Sequence, residues 1–181
     1  MQSCLLPVRV RVSLLAGVSV VLSILCPQSG RAEPHPHQTV TVLAVNNGQE
    51  VLVDFGGEGR AVRLACLQAP LAQQQPWASA AADQLRELLP SGTEVTLEFR
   101  ARDVYGRVVA RLLVEGNDIA ESLLSQGAVF AYDGYLGQCN DLSYLRFEAE
   151  ARETSRGLWT VPGGPERPWN LIEASGGELE P

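Results

Sequence analysis

No lysine occurs among the 181 residues, so all 14 basic side chains are arginines and every cationic contact the chain makes falls to guanidinium groups. Histidine is scarce as well. Its two copies, in His35-Pro-His37, lie in a proline-rich stretch with no third histidine to complete a metal site, so residues 33–37 read as a flexible leader. No apolar run reaches the roughly 18 to 20 residues that a membrane-spanning helix needs. Every one of the 21 acids lies after Ala32, against 11 arginines there, so that part of the chain carries a charge of −10. An acidic body repels polyphosphate at long range, which excludes nonspecific nucleic-acid binding driven by overall charge but leaves room for a local basic face.

Residues 1–32 read as a signal peptide. Arg9 and Arg11 precede an apolar stretch from Val12 to Leu25, and Gly30-Arg-Ala32 offers small residues at the cleavage positions. An uncleaved anchor is the alternative. Cys26 does not read as a lipidation site, because Leu25 stands where a small residue is needed. The expected location is therefore outside the cytoplasm, periplasmic or extracellular, with no transmembrane segment after cleavage. Two of the four cysteines, Cys4 and Cys26, fall in the signal, leaving Cys66 and Cys139. One remaining pair in an exported chain reads as a single disulfide, with two isolated thiols as the alternative.

Strand patterns dominate the first half. Gln38 to Val45 is rich in β-branched residues, Asn46-Asn-Gly48 reads as a hairpin turn, and Glu50 to Phe55 runs out again. After the glycine turn at Gly56 to Gly59, Arg60 to Leu67 predicts a third strand, with Arg63, Ala65 and Leu67 on one face. Ala78 to Leu89 then spaces Ala81, Leu85, Leu88 and Leu89 for one helical face, and Pro90-Ser-Gly92 stops it. Thr93 to Arg100 and Val108 to Val114 form a hairpin across the Asp103 to Arg107 turn. A helix capped by Asn117 or Asp118 ends at Gly127, and another capped by Asp141 runs to Arg156, with Gly157 as its stop. The predicted class is α+β, mainly β: a five-stranded OB-type barrel with three helices in the order β-β-β-α-β-β-α-α, occupying residues 38–170. Residues 171–181 read as a short acidic tail without structure.

Particular motifs carry a resemblance. Arg63-Leu-Ala-Cys-Leu-Gln-Ala-Pro-Leu71, Asp103-Val-Tyr-Gly-Arg107 and Asn47-Gly-Gln-Glu-Val51 resemble the R-L-x-x-I-D-x-P-E, D-x-Y-G-R and D-G-D-T-I motifs of the thermonuclease (staphylococcal nuclease-like) family. The small-residue helix ending at Gln126-Gly127 and the Gly157-Leu-Trp159 closure extend the match, which covers Thr39 to Trp159. The tail Val161 to Trp169 looks like an extension seen in cyanobacterial members with the same cysteine pair.

The resemblance implies a Ca²⁺-dependent phosphodiesterase in which carboxylates hold the ion, a Glu serves the water nucleophile and two arginines stabilise charge on phosphorus. Here Gln49 and Gln68 replace the metal carboxylates and Leu71 replaces the Glu, while Arg63 and Arg107 remain. Neutral amides lack the charge that draws Ca²⁺, and leucine cannot take a proton, a loss alone worth roughly 10² to 10⁴ in rate. No cofactor is expected on this reading. Of the neighbouring acids, Glu50 is expected to point to the opposite face by strand alternation, Asp54 lies too far along, and Asp103 is implied to be a structural acceptor in its turn.

Arg63 and Arg107 are the candidate phosphate contacts, with Tyr105 and Tyr132 as stacking walls. Arg100, Arg102, Arg107 and Arg111 lie on one hairpin. They form either a basic strip or a solvated face paired with Glu98, Asp103 and Glu115.

Two function classes fit these residues, beside the outsider of a structural domain whose groove is vestigial. The first is a non-catalytic exported module, a monomer binding a phosphate or nucleotide ligand, single-stranded nucleic acid weakly, or a protein partner. The second is an active secreted Ca²⁺-dependent endonuclease with a rearranged metal site.

Overall fold

Period-2 burial builds the barrel. The structure, a computed structural model, describes residues 37–132 and 139–177, so the expected signal peptide and the last residues of the expected tail lie outside it. Strand β1 (His37–Asn47) pairs antiparallel with β2 (Glu50–Asp54), and β2 pairs with β3 (Gly59–Leu64). Val51, Val53, Val62 and Leu64 point inward and are sealed from solvent, while Glu50 and Arg63 occupy the other face as direct cross-strand partners. Helix α1 (Trp77–Leu88) crosses over to β5 (Glu94–Arg102), which pairs with both β1 and β6 (Val108–Val114). A parallel β3–β6 pairing then closes the five strands into a mixed barrel, as the OB-type expectation required.

Four short elements complete the architecture: β4 (Leu67–Gln68), β7 (Asn117–Asp118), α2 (Ile119–Ser125) and β8 (Phe130–Ala131), with β4 and β8 pairing antiparallel. Helix α3 (Tyr144–Glu153), a 3₁₀ turn (Gly157–Thr160) and α4 (Pro168–Ala174) follow. Helix α1 lies over the β1–β2 turn so closely that a Cβ on Gly48 would meet the Ala81 Cβ at 2.6 Å, which is why this turn carries glycine.

Asp118 caps α2 as expected. Its Oδ1 accepts from Ala120 N, and its Oδ2 takes bonds from Arg111 Nε (2.8 Å) and the Tyr144 hydroxyl (2.6 Å). One buried carboxylate thus ties the barrel to α2 and α3.

Four expectations need correction. Among the described residues there are four α-helices, not three: Pro168 starts α4, which runs across the expected border at residue 170 into the supposed tail. Trp169 and Arg167 hold it there. The Trp169 ring meets Phe130 and Tyr132 edge-on at 6.2 and 5.4 Å, and Arg167 forks onto buried Glu148 at 2.6 and 3.3 Å. The third strand does not reach Leu67. It stops at Leu64, and Cys66 sits at φ 64°, a left-handed conformation that turns the chain into β4 and breaks the alternation. The third helix starts after Ser143, because Asp141 is bonded to Arg100 at 3.0 Å instead of capping it. Finally, His37 belongs to β1 and not to a leader.

Candidate functional site

The β1–β2 turn sets the first part of the site. Asn47 Oδ1 accepts from Gln49 N at 2.9 Å, and this turn rotates the Gln49 side chain out of strand register into the protein. There its Oε1 accepts from Ala69 N at 2.7 Å, while its backbone carbonyl accepts from Leu64 N. Glu50, the first residue of β2, then projects from the outer face of the barrel opposite Arg63. Alternation does set Glu50 apart from Gln49, whose side chain is buried, but the face it puts Glu50 on is the one that carries the arginines. Glu50 Oε2 takes a bond from Arg107 Nη1 at 3.0 Å, and its Oε1 takes one from Asn46.

Arg107 enters from the β5–β6 turn. Asp103 organises that turn by accepting from the backbone N–H groups of Tyr105 and Arg107, and its Oδ2 takes Arg107 Nε at 2.6 Å. Its implied role as a structural acceptor therefore matches the geometry. Burial pushes the Asp103 carboxyl upward, yet bonds from the Arg107 side chain and backbone outweigh it and hold it below the usual carboxylate range. Burial likewise works against the Arg107 charge, but the carboxylates of Asp103 and Glu50 overcome it and raise its pKa.

A carboxyl with a depressed folded-state pKa contributes stability that is present above its unfolded value, near 3.9, and is lost as pH falls through the folded value. Melting of the Asp103→Asn variant should therefore fall less steeply below about pH 4 than that of the unsubstituted protein. Parallel melting curves in that range would remove the assignment.

Arg63 lies deeper. Burial is the main cause that lowers its pKa, and the charge of Arg107 adds to it; Asp103, Glu50 and Tyr132 oppose. Its Nη2 donates to Gln68 Oε1 at 2.6 Å. Gln68 sits on β4, placed there by the Cys66 turn and by pairing with Phe130. Tyr132 lies at the same edge, its N–H bonded to Cys66 O, and the Arg107 guanidinium covers the exposed Tyr105 ring at 5.1 Å. Of the two expected stacking walls, Tyr105 thus lies against Arg107, while the Tyr132 ring packs edge-on against Trp169 at 5.4 Å.

Leu71 is buried away from water, its N–H bonded to Gln74 Oε1, while Gln74 Nε2 donates to Glu166 O. Sequence reasoning missed Gln74 because its partner is 92 positions away. On the β5–β6 hairpin, Arg111 pairs with Glu98, one of the acids of the paired alternative, and with Asp118.

Cys66 and Cys139 form the disulfide, with Cα atoms 5.8 Å apart, and fix the turn between Arg63 and Gln68.

A calcium ion does not suit this donor set. Oxygen is what it would need, and the oxygens of both replacing amides already accept protein N–H groups, so their remaining ends are NH₂ donors. Among the described residues no three His, Cys, Asp or Glu side chains gather into a group that could hold a metal.

Similarity to known proteins agrees with this architecture. The "Uncharacterized endonuclease" of Escherichia coli is 27% identical over 129 residues, covering 71% of this chain and 80% of that protein. Endonuclease YncB of Bacillus subtilis is 28% identical over 133 residues, 68% of this chain and 63% of that protein. The micrococcal nuclease of Shigella flexneri is 31% identical over 143 residues, 74% of this chain and 80% of that protein. Residues 60–161, more than half of the chain, match the family described as staphylococcal nuclease homologue, and with the closed barrel and the arginine pair on its outer face, the chain belongs to that family.

Proposed function

We propose that this protein is an exported nuclease-fold domain that binds phosphate-bearing ligands in its arginine groove without hydrolysing them. The carrying observation is the orientation of Gln49 and Gln68, whose oxygens face Ala69 N and Arg63. With Leu71 in place of a base, no described group near the arginines is both free of an arginine partner and able to take a proton from water. Glu50 and Asp103 are carboxylates, but each is bonded to Arg107. Weak phosphate binding is supported by two guanidinium groups, Arg63 and Arg107, on neighbouring strands and by the Tyr105 ring beside Arg107.

Export is supported by Arg9, Arg11 and the apolar stretch that follows, and by the Cys66–Cys139 disulfide, which fits an oxidising compartment such as the periplasm or the medium. No helix among the described residues is long and apolar enough to cross a membrane.

The competing reading is an active endonuclease with a rearranged metal site. Glu50 favours it, as a carboxylate set directly across from Arg63, and so do the endonuclease names of the relatives. Incubating the purified protein with single-stranded DNA or RNA, with and without Ca²⁺, decides between the two. The non-hydrolytic reading expects intact substrate in both; cleavage that EDTA abolishes would replace it with the nuclease reading.

A further inference from the structure

A cleft of about 430 Å³ opens between the β6–β7 turn, α2 and α3, and none of Gln49, Arg63, Gln68 or Arg107 lines it. It is therefore separate from the arginine groove. Its volume falls within the roughly 300 to 1,000 Å³ that small-molecule sites occupy. Glu121, Ser122 and Ser125 reach it from one face of α2, Arg111 from β6, Asp118 from β7 and Phe147 from α3. Two of these are already committed. Asp118 takes the Ala120 N–H on one oxygen and Arg111 with the Tyr144 hydroxyl on the other, while Arg111 also donates to Glu98 at 2.6 Å. Glu121 is different. It is half-buried in the wall of the cleft, and among the described residues no cation or hydrogen-bond donor meets its carboxylate. A carboxylate that has lost part of its water without gaining a partner carries a cost that an incoming cation removes.

We propose that this cleft binds a small organic ammonium ion, with Glu121 as its counter-charge. The inference does not depend on the reading of the arginine groove. The surrounding charges decide the sign of the ligand. Arg111 is met by Asp118 and Glu98, Arg146, which lies over the Phe147 ring at 4.7 Å, by Glu150 at 3.9 Å, and Arg156 donates to the Ser125 carbonyl at 3.3 Å. Three arginines thus face four carboxylates, and Glu121 is the acid without an arginine. An anion is repelled there. A divalent metal is no better suited, because both Asp118 oxygens are taken and one free carboxylate is too little charged oxygen for a hard ion. An ammonium group asks for less: one carboxylate and a few neutral acceptors. Ser125 Oγ donates to Glu121 O at 2.8 Å, which leaves its oxygen free to accept, and the Ser122 hydroxyl is a second acceptor. Phe147 supplies apolar surface for the carbon body of the ligand. With no lysine in the chain, no ammonium side chain of its own competes for the place.

The test is a calorimetric titration with putrescine at fixed salt, EDTA present throughout, beside the same titration with butane-1,4-diol, which has the same length and no charge. Putrescine should bind and the diol should not. Glu121→Gln keeps the shape and the helix preference of the side chain, so the variant should melt as the unsubstituted protein does, yet its putrescine affinity should fall by roughly tenfold or more as a charged bond becomes a neutral one. Glu87→Gln removes one exposed charge from α1 instead and should leave the affinity unchanged. In ¹H–¹⁵N spectra the backbone signals of Ser122 and Ser125 should move with putrescine in the unsubstituted protein and stay in place in Glu121→Gln. Equal losses in the two variants would reduce the effect to attraction by the acidic surface as a whole and overturn the site. Equal affinity for the diol would overturn the ammonium assignment, and neither heat nor shifted signals with putrescine in excess would overturn both.

Discussion

Restoring carboxylates by the triple substitution Gln49→Asp, Gln68→Asp, Leu71→Glu should produce a protein whose melting temperature rises with Ca²⁺, while the unsubstituted protein stays unchanged. Two of the three positions already meet at one edge. Gln49 bonds Ala69 N, Gln68 precedes that residue, and Arg63 stands against Gln68. Supplying two negative charges there creates what a hard divalent cation needs. At a concentration 100 times the dissociation constant, mass action contributes about 2.7 kcal/mol, which for a domain of this size corresponds to roughly 5 to 10 °C. Catalysis should return only partly. Leu71 is buried, and the Gln74 bridge to Glu166 braces its backbone, so a glutamate there must first leave an apolar position before it can reach water. A folded triple variant that calcium does not stabilise would show that these positions do not form the metal site.

Reducing the Cys66–Cys139 bond is the second large effect. The bridge closes a loop between residues 73 positions apart. Chain-entropy reasoning then assigns it about 4 kcal/mol, or a fall of roughly 10 °C in melting temperature after reduction. The double variant Cys66→Ser, Cys139→Ser should reproduce that fall without reductant. The loss should also reach the groove. Cys66 holds the left-handed turn that separates Arg63 from Gln68, and its carbonyl takes the Tyr132 N–H, so phosphate affinity should drop together with stability. If oxidised and reduced protein melt within about 1 °C of each other, the bridge is not a main support of the fold.

Local pattern was sufficient for much of this molecule, and particular residues show why. Val95 and Leu97 alternate with Glu94, Thr96 and Glu98 because a pleated strand has a period of two, and the barrel buries both apolar residues. Ala81 and Leu85 recur at helical spacing and are buried on α1, with Leu89 buried just past its end, for the same kind of reason. Asp103 to Arg107 is a self-contained turn whose bonds span four residues, so its structure was visible in five letters. The lost carboxylates at positions 49, 68 and 71 were equally plain, since side-chain chemistry needs no fold to be read.

What escaped was direction. Alternation separates Glu50 from Gln49 but does not say which of the two faces carries the arginines, and Glu50 stands on that face, across from Arg63. The kink at Cys66 depends on a partner cysteine 73 positions away, and α4 depends on Glu148, Phe130 and Tyr132 receiving Arg167 and Trp169. By itself, then, the sequence determined the strand order, the helix faces, the disulfide pair and the replacement of acids by amides. Only the tertiary structure decided that those amides turn their oxygens to Arg63 and Ala69 N and that Glu50 answers Arg107. An amide offers a donor and an acceptor equally, and only its neighbours in space choose which end is left for a ligand.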